Sequence, residues 1–131
     1  MNILITGANG LLGRNLVKIL SKKHRVFAVI KKKKQLEFKL NKNISLIEID
    51  LCNLVVKKLP KNIDVIYYLA QSNAYRVFPD GAEDMISLNI LGPSTLAKWG
   101  AKNGVKKFIY FSSGGVYLNQ NKLANEIDPI D

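Results

Sequence analysis

The 131-residue chain has a single cysteine, Cys52, and a single histidine, His24. A lone cysteine cannot close an internal disulfide, and without a Cys/His cluster no structural zinc site can be built. Cys52 reads as a small, partly buried side chain beside a strand end rather than as a reactive thiol. No run of about 18 or more apolar residues is present, so no membrane-spanning helix is expected, and no charged segment leads into an apolar stretch as in an export signal. Internal repeats are also lacking. With 47% hydrophobic and 23% charged residues, the expectation is one globular domain over residues 1–131, soluble and resident in a reducing cytoplasm.

Negative charge is scarce as well: 20 Lys and Arg stand against 10 Asp and Glu, for a formal net charge of +10. The cations fall in short runs: Lys22, Lys23 and Arg25; the four lysines at 31–34; Lys57, Lys58 and Lys61; and Lys102, Lys106 and Lys107. Such a field attracts polyanions. A basic nucleic-acid-binding domain is nevertheless only the third reading. The runs sit where helices end or strands begin, no aromatic is regularly interleaved for base stacking, and no recognition-helix pattern is present. A solvated lysine surface suited to phosphorylated ligands accounts better for the charge.

What is there is an alternation of short apolar runs with helical periods. Residues 2–6 form an apolar run of the kind buried on both faces of a parallel sheet. A glycine loop follows, then Leu12, Leu16, Ile19 and Leu20 at helical spacing, ending in the polar stretch 21–25. Further strands are expected at 26–30, 44–49, 65–69 and 105–111. Between them lie a short helix or irregular crossover at 36–40, a brief helix at 53–59 stopped by Pro60, and a long helix over 82–101 that Pro93 should kink or divide. Residues 112–131 read as loop. Five strands alternating with crossovers predict an α/β fold, a doubly wound parallel sheet in order 3-2-1-4-5, with the ligand beyond the carboxyl ends of strands one and four.

The chemistry-bearing motifs fall at those strand ends. Thr6-Gly7-Ala8-Asn9-Gly10-Leu11-Leu12-Gly13 lies between the first strand and its helix. In that context Gly7 permits a tight turn, Gly10 lets backbone approach a pyrophosphate and Gly13 allows close packing of helix on strand. The helix N-terminus offers free N–H groups to phosphate. Asp50-Leu51, Tyr67-Tyr68-Leu69-Ala70, Asn89-Ile90-Leu91-Gly92 and the segment from Lys107 through Ser112-Ser113-Gly114-Gly115-Val116-Tyr117 follow in order. Asn89, a polar residue on an otherwise apolar helical face, needs a buried partner.

This set resembles the extended short-chain dehydrogenase/reductase family, the NAD(P)-dependent nucleotide-sugar epimerases and dehydratases. The resemblance implies a Rossmann fold and a cofactor site made by Thr6, Gly7, Asn9, Gly10, Leu11, Leu12, Gly13, Lys31, Asp50, Leu51, Leu69, Ala70 and Asn89. Asp50 and Leu51 would meet the adenine, and Leu69 and Ala70 the ribose and nicotinamide side, with Tyr68 standing where the family usually has histidine. Ser113 would hydrogen-bond the substrate hydroxyl. The implied partners are a dinucleotide, a nucleotide sugar and, through helices that often pair in this family, a second copy in a homodimer.

Two departures qualify that picture. The family moves its proton with a tyrosine whose pKa is lowered by a lysine four residues later. Here Tyr67, Tyr68, Tyr75, Tyr110 and Tyr117 are followed at that spacing by Gln71, Ser72, Pro79, Gly114 and Asn121, while Lys122 lies five beyond Tyr117. The acidic, proline-containing stretch at 125–129 resembles the one that precedes the catalytic tyrosine. The expectation is therefore a chain that stops short of the Tyr-x-x-x-Lys helix and the substrate domain, and that is inactive alone. A non-catalytic dinucleotide-responsive regulatory module is the alternative. The second departure is at the end of strand two, where Ile30 and the lysines at 31–34 replace the acid that binds the ribose of NAD, which leans the cofactor toward NADP.

Overall fold

The computed structural model describes residues 1–32, 36–117 and 125–130. Lys33 and Lys34 of the basic run, and Lys122, lie outside them. Five strands, β1 (Asn2–Thr6), β2 (Arg25–Ile30), β3 (Ile44–Glu48), β4 (Val65–Tyr68) and β5 (Lys107–Tyr110), form one sheet. Their order is 3-2-1-4-5, with every neighbouring pair parallel, as the alternation predicts.

The apolar runs form strands because both faces of the central sheet are covered. On β1, Ile3 and Ile5 face one way and Leu4 the other; on β2, Val26, Ala28 and Ile30 oppose Phe27 and Val29. The first set packs against Val17, Leu16 and Leu20 of helix α1 (Leu11–Leu20). The second set, with Ile66 and Tyr68 of β4, packs against Leu96 and Trp99 of α3 (Gly92–Lys102). Arg25, Lys107 and the loop residues Lys22, Lys23 and Lys106 gather at the amino ends of the strands.

Two local expectations are corrected, and a third resolves between its alternatives. The helix at 53–59 is instead two 3-10 turns, Leu51–Asn53 and Val56–Lys58. The Asp50 carboxylate accepts the Cys52 amide at 3.1 Å and caps the first turn, so β3 ends at Glu48 and helical winding starts early, then lapses at the extended Leu54. Of the two readings of residues 36–40, the irregular crossover holds: they contain no helix, and Leu36 and Phe38 pack on the α1 face. Pro93 does not divide the long helix. Helix α2 (Ala82–Ile86) runs through a π-helical segment (Ser87–Leu91) into α3, with Leu91 and Gly92 in helical geometry. The wider π turn lets Pro93, which has no donor to give, enter as a first-turn residue of α3. Ser94 Oγ donates to the Ile90 carbonyl at 2.6 Å.

The π segment is tied to the sheet by Tyr68. Its ring is fully buried and stacks on Phe108 and Tyr110, and its hydroxyl donates to the Leu88 carbonyl at 2.6 Å. The same hydroxyl lies 2.6 Å from where a Cβ on Gly92 would stand. After β5 the chain makes a 3-10 turn (Gly114–Val116) and a single antiparallel bridge between Tyr117 and Ile130. Among the described residues, no helix is long and apolar enough to cross a membrane.

Tyr68 and Gly92 therefore form a steric pair. Gly92→Ala is expected to cost about 1–3 kcal/mol by overpacking, and Tyr68→Phe about 1–2 kcal/mol by leaving the Leu88 carbonyl without its donor. In the double variant the cost of Gly92→Ala should fall by half or more, since the obstructing oxygen is gone. Chemical denaturation of the four proteins measures this coupling, and strictly additive losses would contradict it.

Candidate functional site

A cleft of about 580 Å³ opens beyond the carboxyl ends of β1, β2, β3 and β4, where the strand order reverses. Its floor is the glycine loop. Gly7 has φ +63°, and a Cβ there would meet the Ala70 nitrogen at 2.8 Å. Only glycine reconciles that left-handed turn with the approach to β4. Gly10 caps α1 without a side-chain hydrogen bond, no acid stands in the helix's first turn, and its own Cβ position meets only the Gly7 carbonyl, at 3.2 Å. The first amides of α1 are thus left to an incoming anion. Gly13 packs against the Gly7 carbonyl and Ala8, so its closeness serves the loop itself rather than a strand.

One wall carries charge. Lys31 Nζ lies 3.2 Å from Asp50 Oδ2, bridging the ends of β2 and β3. The hydrogen bond and charge of Asp50 raise the Lys31 pKa. Burial, the largest single influence on Asp50, opposes its ionisation, but the Cys52 amide and Lys31 together outweigh it and hold the carboxyl below its ordinary value. With side chains 63% and 40% exposed, the pair adds about 0–1 kcal/mol to stability. Both Asp50 oxygens have a partner, and each keeps a further lone pair for a ligand donor. Lys31 is the one lysine lining the cleft among the described residues.

Of the residues singled out from the sequence, Gly7, Asn9, Gly10, Leu11, Lys31, Asp50, Leu51, Leu69 and Ala70 line the cleft. The others lie outside its lining. Thr6 is buried behind the loop, its hydroxyl oxygen accepting from the Leu69 and Ala70 amides at 3.1 and 3.3 Å. The Leu12 side chain is exposed on α1, so only its backbone could face a phosphate. Asn89, in the π segment, accepts the Ser72 amide at 3.0 Å, which is the partner its position demanded. Ser113 is exposed and its Oγ accepts the Gly115 amide at 3.1 Å, an arrangement typical of a turn serine.

Sequence reasoning missed Ala8, Val29, Ile49, Cys52, Gln71, Asn73 and Leu88, which also line the cleft. Val29 and Ile49 are strand-end hydrophobes with no signal beyond their place. Gln71 and Asn73 follow the Leu69-Ala70 segment directly, and their polarity after an apolar strand was the available cue.

The comparisons with known proteins agree with this geometry. The profile of the NAD dependent epimerase/dehydratase family matches residues 3–130. The chain belongs to that family. No match was found among curated proteins. Among solved structures, UDP-glucuronic acid 4-epimerase from Bacillus cereus, in complex with UDP-glucuronic acid and NAD, is 25% identical, with a TM-score of 0.83 over 100% of this chain and 46% of its own. MoeE5 in complex with UDP-glucose and NAD is 27% identical, with a TM-score of 0.77 over 100% and 42%. Epimerase Mth375 from Methanothermobacter thermautotrophicus is 28% identical, with a TM-score of 0.75 over 95% and 39%. The chain thus spans less than half the length of each.

Cys52 stands in the cleft beside Asp50, yet burial and the charges of Asp84 and Asp50 push its thiol up to about 11 from 9.0. Only the thiolate is nucleophilic. Near pH 8 its reaction with a soluble disulfide should be about a hundredfold slower than in the denatured chain, rising roughly tenfold per pH unit as pH approaches 11. Because the folded pKa is raised, the stability linked to the neutral thiol is intact below pH 9 and lost as pH rises through 11. Stopped-flow labelling between pH 7 and 10 checks the slope; rapid, pH-independent labelling would refute it.

Proposed function

We propose that these residues form the dinucleotide-binding half of an NAD(P)-dependent enzyme acting on a nucleotide sugar. The observation that carries this reading is the uncapped N-terminus of α1, set behind a glycine loop that opens into a cleft with Asp50 and Lys31 on one wall and Leu69 and Ala70 on the other. The glycine floor fits a pyrophosphate, since at Gly10 a side chain would fill space the backbone leaves open. Asn9, Gly10 and the backbone of Leu11, Leu12 and Gly13 would hold the phosphates, Asp50 and Leu51 the adenine, and Leu69 and Ala70 the second ribose. Thr6 and Asn89 would act from behind the loops they brace, and Ser113 would hold a substrate hydroxyl. A bound nicotinamide supplies a hydride acceptor. Taking the hydroxyl proton needs a base, and no tyrosine here has a lysine four residues on, so we infer that these residues alone bind without turnover. UDP-sugars and NAD occupy the related structures, which supports the substrate class and a nicotinamide dinucleotide.

The finer choice between NAD and NADP turns on Lys31. No carboxylate stands at the end of β2 to repel a 2′-phosphate, and the Lys31 ammonium is held at the rim by Asp50. That arrangement supports NADP, through charge-assisted hydrogen bonds to phosphate. A thermal-shift titration with each cofactor tests both levels, because selective binding to the folded state raises Tm by mass action. NADP should give the larger shift, and Lys31→Ala should erase the difference while leaving the NAD shift within about a degree. A larger shift with NAD would overturn the cofactor preference, and no shift with either would remove the site assignment.

A further inference from the structure

The two walls of the cleft are connected behind it by a side chain that does not line it. Asp84 sits on α2. Its Oδ2 accepts the Ser72 hydroxyl in a short hydrogen bond, and its Oδ1 faces the Cys52 thiol at 3.5 Å. Cys52 belongs to the wall with Asp50, whereas Ser72 belongs to the opposite loop, between Gln71 and Asn73, which both line the cleft. Ser72 is 2% exposed and is held from three sides: besides Asp84, its amide donates to Asn89 Oδ1 at 3.0 Å and its Oγ accepts the Ala74 amide at 3.0 Å. At Gly81, just ahead of α2, the backbone packs so tightly on Ala74 that a Cβ would collide with it.

We propose that Asp84 is a positioning residue that sets the separation of the cleft's two walls, and through it the fit of a whole dinucleotide. The inference rests on the dinucleotide reading above. Of its two links, that to Ser72 dominates: a hydroxyl bonded to an ionised carboxylate is roughly twice as strong as a neutral hydrogen bond, whereas a thiol is a weak donor. Without that link, Ser72 keeps its bonds to Asn89 and Ala74, but the loop of Gln71 and Asn73 loses its tie through Asp84 to the Cys52 side, while the glycine loop and the Asp50 wall keep their own bonds. Ligands should sense the change according to how many walls they span. A dinucleotide must satisfy both. ADP needs only the glycine loop and the Asp50 side.

The test is calorimetric titration of the wild-type chain, Asp84→Leu, Asp84→Asn and Ser72→Ala with NAD, NADP and ADP. Asp84→Leu keeps the volume without the acceptor and should weaken the better-bound dinucleotide by about tenfold, but ADP by less than about threefold. Asp84→Asn keeps a carbonyl oxygen for Ser72 and should recover dinucleotide affinity to within about threefold. Should Asp84→Leu not fold by circular dichroism, Ser72→Ala cuts the same link from the other end, together with the bond from the Ala74 amide, with the same expected split. Equal losses for ADP and dinucleotide would mean general loosening and would overturn the proposal, as would wild-type dinucleotide affinity in both Asp84→Leu and Ser72→Ala. If the wild-type chain binds neither dinucleotide nor ADP, the site reading fails and takes the proposal with it.

Discussion

Backbone must pass against backbone where β1 gives way to its loop, and most of the architecture follows from how that contact is made. Gly7 turns left-handed directly beneath Leu69 and Ala70, and Thr6 fixes the approach from below by accepting both of their amides. These contacts join the ends of β1 and β4, the two strands between which the winding reverses. A side chain at position 7 would push the loop away from β4 and close the space the reversal creates. A side chain at position 13 would do the same from the helix side, by displacing the Gly7 carbonyl. Two of the three glycines thus serve contacts within the protein, and of the three Gly7 and Gly10 also line the cleft.

Charge is arranged around that contact with an asymmetry composition alone conceals. Lys22, Lys23, Arg25, Lys106 and Lys107 gather at the amino ends of the strands, away from the cleft, with Asp64 beside Lys106 at 3.0 Å. At the carboxyl ends stand Asp50 and, on α2, Glu83 and Asp84. Among the described residues, Lys31 is the one lysine of the net charge of +10 that lines the cleft. On the proposed reading, its attraction for phosphate would come, among the described residues, from the dipole and first amides of α1 and from the Lys31 ammonium, which is paired with Asp50. A site built this way discriminates by geometry more than by bulk field, and its affinity should depend less on salt than that of a lysine-lined surface.

The sheet was legible in the sequence because its runs are apolar on both faces and separated by crossovers too long for hairpins; strand order then followed from topology rules. Nine of the expected site residues reach the cleft because strand ends are where a parallel sheet puts its ligand. What could not be read has physical causes as well. Residues 53–59 read as a brief helix stopped by Pro60, but the Asp50 cap starts the winding earlier, at Leu51, and the extended Leu54 interrupts it. Pro93 signalled a break, and the π segment absorbed it by widening one turn, an option that leaves no mark on periodicity. Asn89 was correctly read as needing a partner, yet that partner, the Ser72 amide, could not be named, because loop backbone carries no side-chain signature. The Ser72, Asp84 and Cys52 constellation escaped for the same reason: each residue is ordinary alone, and three separate segments bring them together.

Proton removal in the proposed reaction would need a tyrosine able to ionise, and two of the tyrosines are held by backbone carbonyls instead. Tyr68 takes the place of a histidine the family usually has on the cofactor side, but it does not face the cleft. Burial pushes its hydroxyl well above the ordinary range, and the Leu88 carbonyl holds the proton in place. Tyr110 likewise gives its hydroxyl to a carbonyl of the π segment, that of Asn89, at 3.3 Å. For Tyr68, burial and the Leu88 carbonyl both oppose formation of a phenolate. Both hydroxyls act structurally, tying the sheet to the π segment, which in turn places Asn89 against the loop that carries Gln71 and Asn73. Tyrosine here stiffens the wall a nicotinamide would lie on.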